Sequence, residues 1–143
     1  MQQRVTMIGL GVADLPRARA FYTRLGWEEA QPDSPDIAFF NLQNSVLSLY
    51  PWDKMAEDIG IAPEDFGQPT ACLAYNVNSP TEVAATLAEA EAAGATIVKQ
   101  AQDVFWGGHS GYFRDPDGHF WEVAHNPFSP LGPNGEARVG GFQ

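Results

Sequence analysis

One residue pattern occurs twice in this chain, and it restricts the folds open to it. Leu10-x-Val12-x-Asp14 closes an apolar, strand-like run and opens a helical one. Tyr75-x-Val77-x-Ser79 does the same in the second half. Each helical pattern ends at a glycine, Gly26 or Gly94, ahead of further strand-like sequence. An internal repeat of this length points to two copies of one supersecondary unit.

The first copy reads as follows. Val5 to Val12 is rich in β-branched and apolar residues, which predicts a strand. Asp14 suits a helix N-cap, and Pro16 suits the first turn. Leu15, Ala18, Phe21, Tyr22 and Leu25 recur at helical spacing, so one stripe should be buried. Strands are expected at Trp27–Ala30, Ile37–Asn41 and Ser45–Tyr50, separated by Pro32, Asp33, Ser34, Pro35 and Asn44. The second copy has a strand over Ala71–Val77. A capping box, Ser79-Pro80-Thr81-Glu82, opens its helix, with Val83, Leu87 and Ala90 as the buried stripe. Strands are expected at Thr96–Gln100, Gly111–Arg114 and Phe120–His125, the last two joined by a type I turn at Asp115-Pro116-Asp117-Gly118.

These patterns predict an α+β fold of two tandem βαβββ modules whose mixed sheets form a cup. Module one spans 4–51, a linker with a short helix around Lys54–Ile59 spans 52–69, module two spans 70–126 and an irregular tail spans 127–143. All belong to one domain covering 1–143, a length that supports a real core. Eight basic residues against 18 acidic ones give a formal charge of −10. That balance argues against nucleic acid, because phosphate binding needs clustered Lys and Arg. It suits a cationic ligand, or simply an acidic surface. No apolar run reaches membrane-spanning length, so no membrane partner is expected. A single cysteine, Cys72, cannot form an internal disulfide, which fits the cytoplasm.

Strand alternation locates a pocket. Ile8, Leu10 and Val12 share one face of the first strand, and Leu73, Tyr75 and Val77 share one face of the fifth; these bulky sets should pack under the helices. The opposite faces carry Met7, Gly9 and Gly11, and Cys72, Ala74 and Asn76. A core does not spend a strand face on glycine unless something approaches closely. The matching faces of the fourth and eighth strands carry Val46, Ser48 and Tyr50, and Phe120, Glu122 and Ala124. The plainer reading is a thin sheet of small, tightly packed residues. The pocket reading is preferred, because a carboxylate at Glu122 is costly to bury without a partner. Phe105, Trp106, Tyr112, Tyr50 and Trp52 would sit at the mouth, as ligand-binding walls or as ordinary core aromatics. His109, in the glycine loop Trp106-Gly107-Gly108-His109-Ser110, reads as a ligand-contacting acid or base, or as a surface histidine. His119 and His125 point elsewhere, and Arg114 reads as an ion-pair partner of Asp115 or Asp117 or as an anion contact.

Two segments resemble a known superfamily. Leu10-Gly11-Val12-Ala13-Asp14-Leu15-Pro16 with Phe21-Tyr22 and Leu25-Gly26-Trp27 is similar to the opening of vicinal-oxygen-chelate proteins. Gly111-Tyr112-Phe113-Arg114-Asp115-Pro116-Asp117-Gly118-His119-Phe120-Trp121-Glu122 is similar to their closing signature. This superfamily includes glyoxalase I, extradiol dioxygenases, fosfomycin-resistance transferases and bleomycin-resistance proteins. The resemblance covers about residues 4–126 and implies the paired-module fold, a homodimer, and a divalent metal that polarises two neighbouring substrate oxygens. Carried over position by position, the last-strand glutamate ligand falls on Glu122. The first-strand ligand falls on Met7, the fifth-strand ligand on Cys72 and the fourth-strand one on Ser48. One family metal ligand therefore survives, and a set of thioether, thiol, hydroxyl and carboxylate suits none of the usual ions. A divalent metal is not favoured as a cofactor.

The ligand-binding set is therefore Met7, Gly9, Ser48, Tyr50, Cys72, Ala74, Trp106, His109 and Tyr112, with Glu122 as the catalytic candidate. Two functions follow. One is an enzyme acting on a small organic molecule: a lyase, isomerase or dioxygenase with an altered metal site, or acid–base chemistry through Glu122. The other is a metal-free binding or drug-sequestering protein similar to bleomycin-resistance members.

Overall fold

A computed structural model describes residues 1–3, 5–67 and 71–138. Residue 4 of the expected module one, residues 68–70 at the junction and residues 139–143 of the tail lie outside the described residues. The chain divides into two compact units, Met1–Thr70 and Ala71–Gln143.

The first unit contains β1 (Met7–Val12), α1 (Leu15–Arg24), β2 (Ala38–Asn41), β3 (Val46–Pro51) and α2 (Trp52–Ile59), followed by a 3-10 turn at Pro63–Asp65. Asp14 caps α1 by accepting from the Arg17 N–H at 3.0 Å. The helix buries Leu15, Ala18, Phe21 and Tyr22, the stripe that the spacing predicts. Gly26, with φ +92°, turns the chain out of the helix. The sheet order is β1-β3-β2, with β1 and β3 parallel and β2 antiparallel to β3. Tyr22, Trp27 and Phe40 pack as an aromatic cluster with centroids 5.5–5.9 Å apart.

One expected strand is not formed. Trp27–Ala30 makes only an isolated bridge, Glu29 to Phe40. The reason lies in Arg19. Its guanidinium donates to the carbonyls of Ser34 and Ile37 at 2.6 and 3.2 Å and pairs with Glu29 at 3.0 Å. These contacts tie the segment and the loop that follows it to α1, and Pro32 and Pro35 in that loop supply no N–H for a ladder.

The segment read as a linker folds onto this unit. Helix α2 lies over β1 and β3. A Cβ on Gly11 would stand 3.3 Å from the Trp52 Cβ, and one on Gly9 would stand 3.6 Å from the Met55 Cε. What approaches these glycines is therefore α2, which needs a strand face without side chains to lie this close. Ser48 is buried below it, and Tyr50 hydrogen-bonds Asp58 of the same helix. That bond to a carboxylate holds the Tyr50 phenol above its ordinary pKa.

The second unit contains β4 (Cys72–Asn76), α3 (Pro80–Ala93), β5 (Thr96–Asp103), β6 (His109–Arg114) and β7 (Phe120–His125). Ser79 accepts from the Glu82 N–H at 3.3 Å, and the Glu82 carboxylate reaches back to the Asn78 N–H at 2.8 Å. The sheet order is β4-β7-β6-β5, with β4 and β7 parallel and the other pairs antiparallel. The turn at Asp115 is built as expected, and it is deeper than a surface turn. Asp115 is buried, and its carboxylate accepts from the Asp117 and His119 N–H groups at 3.0 and 2.9 Å.

Two expectations change here. Tyr75 is 49% exposed rather than packed under a helix. Helix α3 packs chiefly on β5, β6 and β7, and β4 is the edge strand beyond β7. His109 is not in a loop: it opens β6, in register with Asp103 at the end of a longer β5. Among the described residues no helix is long and apolar enough to cross a membrane.

Candidate functional site

In the second unit, register sorts the side chains into two sets. Gly111, Phe113, Trp121 and Val123 lie on the α3 face, where Phe113 and Trp121 stack at 6.0 Å. Cys72, Ala74, Ser110, Tyr112, Phe120 and Glu122 share the other face. A pocket of about 270 Å³ opens on that second face.

Glu122 and Tyr112 face each other across β7 and β6 in the pocket. The Tyr112 hydroxyl donates to Glu122 Oε2 at 2.5 Å. That hydrogen bond, helped by partial burial and the carboxylate charge, pushes the Tyr112 pKa up to about 12. The phenol therefore keeps its proton at neutral pH. Ser110, Lys99, Gln102 and Asp103 add polar groups, and Phe105 and Trp106 add aromatic ones. Asp103 is held by His109, whose Nδ1 lies 2.9 Å from its carboxylate.

Trp106 owes its position to a glycine. A Cβ on Gly108 would overlap the Trp106 ring and come 2.8 Å from the His125 carbonyl oxygen. Gly108→Ala is expected to cost about 1–3 kcal/mol, the usual range for forcing an extra carbon into a filled site. A urea midpoint unchanged from the parent protein would show that this contact does not hold the loop.

The expected site residues thus divide by unit. Glu122, Tyr112 and Trp106 line the pocket, and His109 supports it through Asp103. Ala74 is in register with Glu122, and Cys72 with Phe120, so both lie on the same face beside the pocket. The Cys72 thiol is pushed up by desolvation and then by the nearby Glu122 charge, so it stays protonated at neutral pH. Met7, Gly9, Ser48 and Tyr50 belong to the first unit, where α2 covers Gly9 and Ser48 and draws Tyr50 to itself, and Met7 is exposed. Lys99, Gln102, Asp103 and Ser110 line the pocket without being anticipated. Ser110 was legible from its period-two relation to Tyr112. The β5 residues were not, because β5 shifts register between Ile97 and Lys99 and again between Lys99 and Gln102.

The donor set can be tested against the divalent ion that the resemblance implies. One oxygen of Glu122 is taken by Tyr112, and Cys72 is held as a neutral thiol. Among the described residues no group of three or more His, Cys, Asp or Glu could hold a metal ion. These residues do not fit the site of a hard divalent metal.

Comparison with known proteins places the chain. The profile of the Glyoxalase/Bleomycin resistance protein/Dioxygenase superfamily matches residues 4–123. The chain belongs to this superfamily. It is similar to a glyoxalase-related enzyme from Fulvimarina pelagi, with 35% identity and a TM-score of 0.87 over 96% of this chain and 98% of that one. A glyoxalase/bleomycin resistance protein/dioxygenase from Nocardioides shares 26% identity with a TM-score of 0.72, covering 87% and 84% of the two chains. A lactoylglutathione lyase from Agrobacterium tumefaciens, 22% identical with a TM-score of 0.67 over 88% and 96%, is alike in fold. No match is found among curated proteins. The α+β architecture with two mixed sheets is therefore that of the glyoxalase/bleomycin-resistance fold.

Proposed function

We propose that this glyoxalase-superfamily chain binds a small planar organic molecule in the pocket of its second unit, without the family's divalent metal. The observation that carries this reading is the Tyr112–Glu122 pair in a pocket that Phe105 and Trp106 border. The surviving family carboxylate has a phenol, and not a cluster of further ligands, as its neighbour. Its second oxygen can accept from a ligand N–H or O–H, and the acidic chain favours a cationic donor.

Isothermal titration with 4-methylbenzylamine tests this. Saturable one-site binding is expected, weakened several-fold by Trp106→Ala through loss of ring contact. Heat that never saturates into the millimolar range overturns it.

The same pair supports a second reading, as a lyase or isomerase in which Glu122 accepts a substrate proton and Tyr112 donates one. Turnover of a bound carbonyl compound that Glu122→Gln leaves intact would remove that reading.

A further inference from the structure

Three positions form a row across the pocket face. Lys99 of β5 is in register with Tyr112 of β6, and Tyr112 is in register with Glu122 of β7. All three line the pocket. Neighbouring strands lie about 4.8 Å apart, so the Lys99 and Glu122 backbones are separated by about 10 Å, with the Tyr112 side chain between them. A positive and a negative group thus stand at opposite ends of one aromatic-bordered site.

The partners of these charges differ. Glu122 is bonded to Tyr112, and Asp103 to His109. The Arg114 guanidinium lies 4.5 Å over the Phe120 ring. The Lys99 ammonium has no ion pair or side-chain hydrogen bond among the described residues. The second unit carries only three basic residues, Lys99, Arg114 and Arg138, against eight acidic ones. One of those three lines the pocket. Long-range attraction follows net charge, but contact binding follows the group within a few ångströms.

We infer that the pocket takes an aromatic acid bearing a hydrogen-bond donor at the end opposite its carboxylate, with Lys99 as the anion contact and Glu122 as the donor's acceptor. This rests on the binding reading above and adds the ligand's second charge. A benzene ring with para substituents holds its two polar ends apart, as the row holds Lys99 and Glu122 on either side of Tyr112. The ring then lies over Tyr112, next to Phe105 and Trp106. A ligand with only one charged end leaves either the ammonium or the carboxylate to water.

Three probes that share a ring separate the contributions: 4-(aminomethyl)benzoate, 4-methylbenzylamine and 4-methylbenzoate. Each is titrated calorimetrically into the full chain and into Lys99→Met and Lys99→Arg, with melting temperatures confirming that both variants fold. The amino acid is expected to bind the parent chain about tenfold more tightly than the amine, the scale of one hydrogen bond to a charged group. Lys99→Met should erase that advantage and leave the amine within about twofold of its parent affinity, and Lys99→Arg should restore it. Equal affinity of the parent for the amino acid and the amine overturns the inference and leaves the binding reading standing. Uniform weakening of all three probes by Lys99→Met overturns it as well, by showing a general effect on the pocket. Binding of none of the three overturns the binding reading, and the inference falls with it.

Discussion

Phe40→Ala is expected to lower the unfolding free energy by about 3–5 kcal/mol, the range for emptying a buried aromatic site. Phe40 is 1% exposed, with the Tyr22 and Trp27 rings at 5.8 and 5.9 Å. It also lies in β2, where it joins Leu47 of β3 and forms the bridge to Glu29. The cavity would therefore open where α1, the sheet and the loop held by Arg19 converge. Urea denaturation followed by tryptophan fluorescence measures the loss. Phe105→Ala is the control, since Phe105 is fully exposed and its removal should change stability by less than about 0.5 kcal/mol. Comparable losses for the two variants would contradict this account of the core.

Glu122→Gln should produce the second large effect, at high pH and in ligand binding together. In the parent chain the hydrogen bond to Glu122 raises Tyr112 from an ordinary 10.0 to about 12. A group whose pKa is raised by folding contributes stability that is complete below its unfolded value and fades as pH climbs through its folded value. The Tyr112 contribution is thus present below about pH 10 and is lost toward pH 12. In Glu122→Gln, tyrosinate absorbance should show one phenol titrating nearer 10, and alkaline unfolding should begin at lower pH. The same substitution removes the second cause of the raised Cys72 pKa, so that thiol should alkylate faster. Affinity for 4-methylbenzylamine should fall about tenfold, as a charged acceptor becomes neutral. An unchanged tyrosinate titration would remove the Tyr112–Glu122 bond from the description, and unchanged amine affinity would remove Glu122 from the binding site.

Much of this was readable from residue order. Asp14 and Ser79 announce helix starts, Gly26 and Gly94 announce helix ends, and the Asp115 turn joins β6 to β7 where its residue types require. Alternation put Glu122 on the pocket face and Tyr112 was expected with the aromatics at its mouth; the regular β6–β7 ladder is what sets the two side by side. The failures share a cause, since each depends on a contact distant in sequence. The strand expected at Trp27–Ala30 gives way to a segment tied to α1 by Arg19, which sits earlier in the chain, pairs with Glu29 and donates to the carbonyls of Ser34 and Ile37. Tyr75 is exposed on the edge strand, and α3 packs chiefly on the other three. Lys99 and Gln102 enter the pocket through irregularities in β5 that no period-two count reproduces. Gly9 and Gly11 did signal close approach, but their spacing could not say that α2 would be the neighbour.

The parallel pairing of β4 with β7 also sets the order in which the second unit can be built. Cys72 is in register with Phe120, and among the described residues β4 has no other ladder. As the chain emerges during synthesis, β4 appears early and stays unpaired until the last strand arrives. The β5–β6 hairpin and α3 can form in the meantime, because their contacts are local. Pairing across so long a separation costs loop-closure entropy before it returns any contact, which makes it the slow step. Glu122 rides on that last strand. The polar pair in the pocket is therefore completed at the same moment as the sheet, and a chain halted before Phe120 would expose a bare strand and lack Glu122.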